Sequence, residues 1–335
     1  MSISKKKVNE LLKFLFPINR SITGKGNLET LSALKEFIPL KVKKFKSGTK
    51  VYDWKVPDEW NASEAWIKDS SGKKIVDFKI NNLHLVSYSK SIHKFISFKE
   101  LKKNIFYDHE NSKSIPYRTS YYRKTWGFCV NRHQYKYLES SKNKLEVFIK
   151  SQFNPKGYMH YGELILKGKR KKEILISTYI CHPSMANDNL SGVVMTVLLA
   201  NEILKIRNRV NSYRIIFIPE TIGAIAYCKK NQIKMKNIDI GLVVTTVAGR
   251  GKYSLKESWN NKHYINQIAK KVLSSESKNY LTYPFDIHGS DERQYSSQGF
   301  RINTISISKS KYYDYKEYHT SLDNLNFIKT EYIFK

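Results

Sequence analysis

The 335-residue chain has 41% hydrophobic and 26% charged residues, which excludes a wholly disordered protein and leaves room for a large domain carrying a smaller one. A formal net charge of +30 favours acidic partners such as phosphates, acidic glycans, RNA or an anionic membrane surface. The excess is mostly lysine scattered along the chain without a basic helix, so it reads as solvated faces and predicts no specific nucleic-acid binding.

The start, MSISKKKVNELLKFLFPINRS, sets lysines before a short apolar stretch, but Lys13 interrupts it and no small-residue cleavage site follows. Residues 5 to 16 carry apolar side chains at helical spacing up to Pro17, and NLETLSALKEFI predicts a second helix. From about Ser47, short alternating segments such as TKVYDWKVP, EAWIKD, KKIVDFKI and LHLVSYS lie between Asp-Ser-Ser-Gly and Asn-Asn turns. They predict a small, mainly β unit over residues 47–137. KLEVFIKSQF and MHYGELILKG are two further strands. Beyond them the apolar runs ILISTYI, RIIFIPE and IDIGLVVTTV alternate with helical patterns from Leu190 and over YINQIAKKVL. Residues 1–46 and 138–335 are thus expected to form a discontinuous α/β domain, a mixed, mostly parallel sheet flanked by helices. No run reaches membrane-spanning length. Cys129, Cys181 and Cys228 are odd in number with no CxxC, which predicts a reducing, cytoplasmic setting.

The chemistry gathers where apolar strands end. ILISTYI stops at Cys181-His182-Pro183, and Asp188 lies six positions past His182 in the loop to the next helix. Ligands of open α/β sheets bind at the carboxyl ends of the strands, so both side chains are placed to meet above the sheet. Glu220 ends the next strand on the same rim, and EYHTSLDN brings His319 in a polar loop. Two imidazoles and a carboxylate suit zinc with an open position, and a free glutamate beside them suits a proton acceptor. The plain alternative is a solvated loop histidine.

The segment EILISTYICHPSMANDNLSGVV resembles the metal-binding core of the co-catalytic zinc aminopeptidases and carboxypeptidases, a group that includes the glutaminyl cyclases. More fully, FPINRSITG, SGTKVYDWKVPDEWN, YRTSYYRKTWGFC, ICHPSMANDNLSG, FIPETIGAIAY, GSDERQY and EYHTSLDN resemble, in order, the bacterial polysaccharide-biosynthesis proteins with an aminopeptidase-like domain. The resemblance implies a zinc-dependent exopeptidase-like fold with a small inserted mainly-β domain. It implies metal ligands at His182, Asp188 and His319, a catalytic base at Glu220, and a cis peptide at Asp188-Asn189. The peptidases' second glutamate is replaced by Thr221, and their later aspartate by Thr245 or Thr246. With those carboxylates absent, one zinc per chain is expected in place of two.

The implied activity is hydrolysis of an amide in a small-molecule, aminoacyl-sugar, N-acyl or peptide substrate, with a non-catalytic zinc scaffold for glycan assembly as the rival. A third reading, a regulatory nucleic-acid binder, draws on the winged-helix extension of family members. The chain ends at Lys335, before any such extension, so duplex binding is expected to be weak. Arg20, Asp291, Glu292, Arg293 and Tyr122 are candidate substrate contacts. Arg20, with Ser21 and Thr23, serves equally as a helix cap and turn. Tyr121, Tyr122, Arg123 and Trp126 read as a stacking wall or as core of the β unit. Glu317 is a candidate partner for orienting His319. Strand alternation is expected to turn Cys181 away from His182 and bury it.

Overall fold

The computed structural model describes residues 3–334. Ser4 accepts the Lys7 amide and opens a helix over Lys5–Leu15 that buries Val8, Leu11, Leu12 and Leu15, the 3–4 spacing of one apolar face. A second helix, Lys25–Leu34, lays Leu31 and Leu34 on the same core.

An eight-stranded sheet runs in the order Lys41–Lys46, Tyr158–Leu166, Ser212–Ile218, Glu173–Tyr179, Ile240–Val244, Asn303–Lys309, Tyr253–Lys256, Leu281–Tyr283. Its four middle strands, from Ser212–Ile218 to Asn303–Lys309, are parallel. Alternation along them feeds two cores. Ile176, Ile215 and Phe217 pack with the helix Gly192–Lys205 and the first two helices, whereas Leu175, Ile216 and Ile218 join Tyr227 and the small sheet. Each such aliphatic side chain contributes about 1.5–3 kcal/mol on burial.

The small sheet is antiparallel, in the order Lys74–Asp77, Glu59–Lys68, Leu145–Asn154, Ile92–Ile96. Its strand Leu145–Asn154 lies past residue 137, and only a tight turn at Gly157 separates it from the main-sheet strand Tyr158–Leu166. Alternation marks a strand but not its partner, so the span 47–137 did not carry this pairing. Trp60, Ile67 and Val147 share one continuous core with Leu175 and Ile216.

Two features of this architecture position the site. Tyr179 is in register with Ile218, so the residues following these two strands emerge side by side. The neighbours Ser212–Ile218 and Ile240–Val244 flank Glu173–Tyr179 on opposite sides, which opens a crevice at its carboxyl end. Over that end reaches an arm from the small unit, where Pro116 bridges Thr320 and the Tyr117 amide donates to the His319 carbonyl at 2.7 Å.

Candidate metal centre

The loop carrying Asp188 is tied down from three sides. Both oxygens of the Asp323 carboxylate accept backbone amides, from Asn187 at 2.6 Å and Asp188 at 2.9 Å. Asn189 donates to Thr178 Oγ1 at 2.9 Å and accepts the Thr246 amide at 3.2 Å. Gly192 closes the turn into the helix because a Cβ there would lie 2.3 Å from Asn189 Oδ1 and 2.5 Å from the Val244 carbonyl. The Asp188-Asn189 peptide is cis, as the resemblance implies.

His182, Asp188 and His319 converge, each offering one donor atom within 4.8 Å of the others. His319 Nε2 lies 3.1 Å from Asp188 Oδ2, yet that buried oxygen takes no hydrogen bond. A buried carboxylate oxygen left unpaired between two imidazoles fits a cation. Burial draws the His182 imidazole down to about 4, so it stays in the neutral, ligating form. Burial alone raises Asp188, but His182, His319 and the Tyr179 hydroxyl outweigh it and hold the carboxyl at about 2.

Tyr179 donates its hydroxyl to Asp188 Oδ1 and lies 2.7 Å from Thr245 Oγ1. Burial keeps that phenol well above its ordinary value, hence protonated. Its one proton goes to Asp188, so Thr245 is the donor in the second contact. Tyr117 packs against both imidazoles at 5.3 Å, and Tyr318 stacks on His319 at 4.0 Å.

Glu220 stands 3.9 Å from His182 Nε2 through Oε2, while Oε1 accepts the Ser290 hydroxyl at 2.7 Å. Burial first, and then the Asp188 charge, push its carboxyl up to about 7. Glu220 is common to two spaces. One is a chamber of about 20 Å³ shared with His182, Asp188, Ser290 and a ring of tyrosines; the other is a cleft of about 720 Å³ beneath the arm of the small unit.

Tyr122 and Arg293 line the large cleft, as does Thr221. Arg20, Asp291 and Glu292, expected as substrate contacts, do not; their side chains are engaged elsewhere. Arg20 is 1% exposed and donates to the carbonyls of His182, at 3.0 Å, and Leu15, which braces the metal loop from behind. Asp291 accepts the Thr221 amide at 2.8 Å, holding that residue at a positive φ of 61°. Glu292 pairs with buried Lys256 at 3.1 Å and accepts the Ser290 amide, which shapes the turn that presents Ser290. Glu317 lines a separate groove with Arg250 and Lys252. Cys181 is buried, but its Sγ lies 3.7 Å from His182 Nδ1 and accepts the Glu220 amide at 3.3 Å. The strand ends at Tyr179, so alternation no longer governs residue 181.

Sequence reasoning passed over Tyr179, Asp323, Ser290 and Tyr117. All four stood inside quoted motifs, Tyr179 in EILISTYICHPSMANDNLSGVV, Asp323 in EYHTSLDN, Ser290 in GSDERQY and Tyr117 at the head of YRTSYYRKTWGFC, but none carried a pattern that set it apart from its neighbours. No helix among the described residues is long and apolar enough to cross a membrane.

Comparison with known proteins gives the family and the fold. The family model described as a domain of unknown function, DUF4910, matches residues 9–335. A Clostridium acetobutylicum protein named for polysaccharide biosynthesis and an aminopeptidase-like domain is 42% identical over 324 residues, covering 97% of this chain and 74% of that protein. A crystal structure of a Clostridium acetobutylicum protein, a peptidase by assigned name alone, superposes with a TM-score of 0.94 at 41% identity, covering 98% of this chain and 77% of the other. A zinc aminopeptidase from Bacillus subtilis shares the fold at a TM-score of 0.67 and 14% identity, covering 98% and 90%. The chain belongs to the DUF4910 family, among the polysaccharide-biosynthesis proteins with an aminopeptidase-like domain.

Proposed function

We propose that the chain is a one-zinc amide hydrolase acting on an aminoacyl or N-acyl substrate in surface-polysaccharide biosynthesis. The pathway part of this reading rests on the name of the Clostridium relative. The observation that carries the chemistry is the position of Glu220, whose carboxylate borders both the histidine-lined chamber and the large cleft.

His182, Asp188 and His319 would hold the ion. Zinc, when bound, supplies a Lewis acid for an amide carbonyl and acidifies water. Because Asp188 Oδ1 already accepts the Tyr179 hydroxyl while Oδ2 takes no hydrogen bond, Oδ2 is the better placed ligand atom, which favours one metal over two. Ser290 occupies Glu220 Oε1, leaving Oε2, the oxygen turned toward His182, to take a proton and return it to the leaving amine. In the metal-free chain burial and the Asp188 charge raise this carboxyl, which suits a group that must exchange a proton. Tyr117, Tyr312 and Tyr318 crowd the chamber and keep bulk water away.

Elemental analysis of the purified protein tests the metal. About one zinc per chain is expected, lost in His182→Ala and Asp188→Ala. The chemistry is tested on panels of aminoacyl and N-acyl sugars, with turnover lost in Glu220→Gln while zinc is retained. Thr221 and Thr245, where the peptidases carry carboxylates, favour the second reading of a zinc scaffold without turnover. Zinc retained with no turnover on either panel would establish that one instead.

A further inference from the structure

The large cleft has a charge pattern at odds with recognition of a free amino terminus. An ammonium group needs carboxylates around it, yet the only carboxylate lining this cleft among the described residues is Glu220. Facing it are four cations, Lys103, Arg118 and Arg123 from the small unit and Arg293 from the main domain. None of the four makes an ion pair within 4.0 Å among the described residues. Arg293 is steadied by the Thr221 hydroxyl and the Ile287 carbonyl, both at 3.3 Å, and its buried Nε has no partner. Arg118 lies over the Phe106 ring at 4.7 Å, a contact that fixes the guanidinium plane without using its donors.

Aromatic faces complete the lining. Trp54 and Tyr122 meet at 6.0 Å, and the Tyr122 hydroxyl is anchored on the Lys55 carbonyl at 2.6 Å. That bond turns the ring into a fixed wall.

We infer that this cleft selects an anionic N-acyl substrate, a sugar-sized ring packed on the Trp54–Tyr122 wall with its phosphate or carboxylate held by Arg118, Arg123 and Arg293. The inference rests on the reading that substrate lies in the cleft bordered by Glu220. Guanidinium forks suit both oxyanions, since each offers two oxygens to paired N–H donors. The volume of about 720 Å³ accommodates a ligand of that size. A neutral ring forgoes the cations, and a free amine is repelled by them.

The test is binding, so that it does not depend on turnover. Four probes, N-acetylglucosamine, its 1-phosphate, its uronic acid and glucosamine, are titrated calorimetrically into the full chain and into Glu220→Gln at two salt concentrations. The phosphate or the uronate should bind at least about tenfold more tightly than the neutral sugar, with the margin shrinking as salt rises. The two anionic arms identify which oxyanion is preferred. The margin should vanish in the exposed double variant Arg118→Gln/Arg123→Gln, with its far-UV spectrum unchanged. Equal binding of neutral and anionic sugars, tightest binding of glucosamine, or no binding of either anion would overturn the inference. Anion selectivity that persists in a chain showing no hydrolysis would count against the catalytic reading alone.

Discussion

The Tyr179 hydroxyl donates to Asp188 Oδ1, which ties one oxygen of that carboxylate to a neighbouring strand residue. A carboxylate that bridges two metals commonly offers one oxygen to each. Here one is committed to a buried phenol backed by Thr245, and the other faces His182 and His319. Tyr179→Phe should leave Oδ1 buried and unpaired, at a cost of about 1–3 kcal/mol. The metal-free variant should therefore melt below the parent in a thermal scan. An unchanged midpoint would mean that the phenol contributes nothing to holding Asp188.

Zinc binding should stabilise the fold by mass action, because the ligands come from the loop at 182–188 and from a second loop more than a hundred residues on. The melting temperature of the metal-free chain should rise with added zinc. His319→Ala should abolish that rise while leaving the metal-free midpoint close to the parent, since this imidazole is partly exposed. A zinc-dependent rise that survives the substitution would remove His319 from the ligand set.

Glu220 sets a pH dependence whose sign can be worked out. Its carboxyl in the metal-free native state is raised to about 7 by burial and by Asp188, above an unfolded value of about 4.3. Between those values the native state holds more protons than the unfolded chain, so this group's contribution to stability falls as pH rises through about 7. Glu220→Gln should accordingly raise the melting temperature of the metal-free protein relative to the parent at pH 8 and not at pH 4. Equal differences at the two pH values would show that the carboxyl is not raised.

Asp323 carries the loop rather than the chemistry. Replacing it with alanine orphans the Asn187 and Asp188 amides, each costing about 1–3 kcal/mol. Asp323→Ala should lower both the melting temperature and zinc affinity, with Asp323→Asn intermediate because it keeps one acceptor. Zinc affinity equal to the parent in the alanine variant would separate the loop's backbone from the site.

What the sequence by itself determined is the set of polar groups that gather at the strand ends. His182, Asp188 and Glu220 sit in short polar strings at the ends of apolar strands, and parallel strands bring their carboxyl ends to one rim. Strand and helix periodicities likewise marked Glu173–Tyr179, Ser212–Ile218 and Tyr264–Glu276, because burial on a sheet or a helix face imposes a repeat that is local in the chain. Tertiary structure alone decided the partners. The pairing of Leu145–Asn154 with the small sheet, the clasp of Asp323 on residue 188 from 135 positions away, and the Ser290 hydroxyl on Glu220 from 70 positions away join groups with no local signature. Arg20 had a polar motif around it, yet it turned inward to the His182 carbonyl, where the loop offered a buried acceptor. A periodicity records which face is covered, whereas a hydrogen bond across the fold depends on where two distant backbones come to rest.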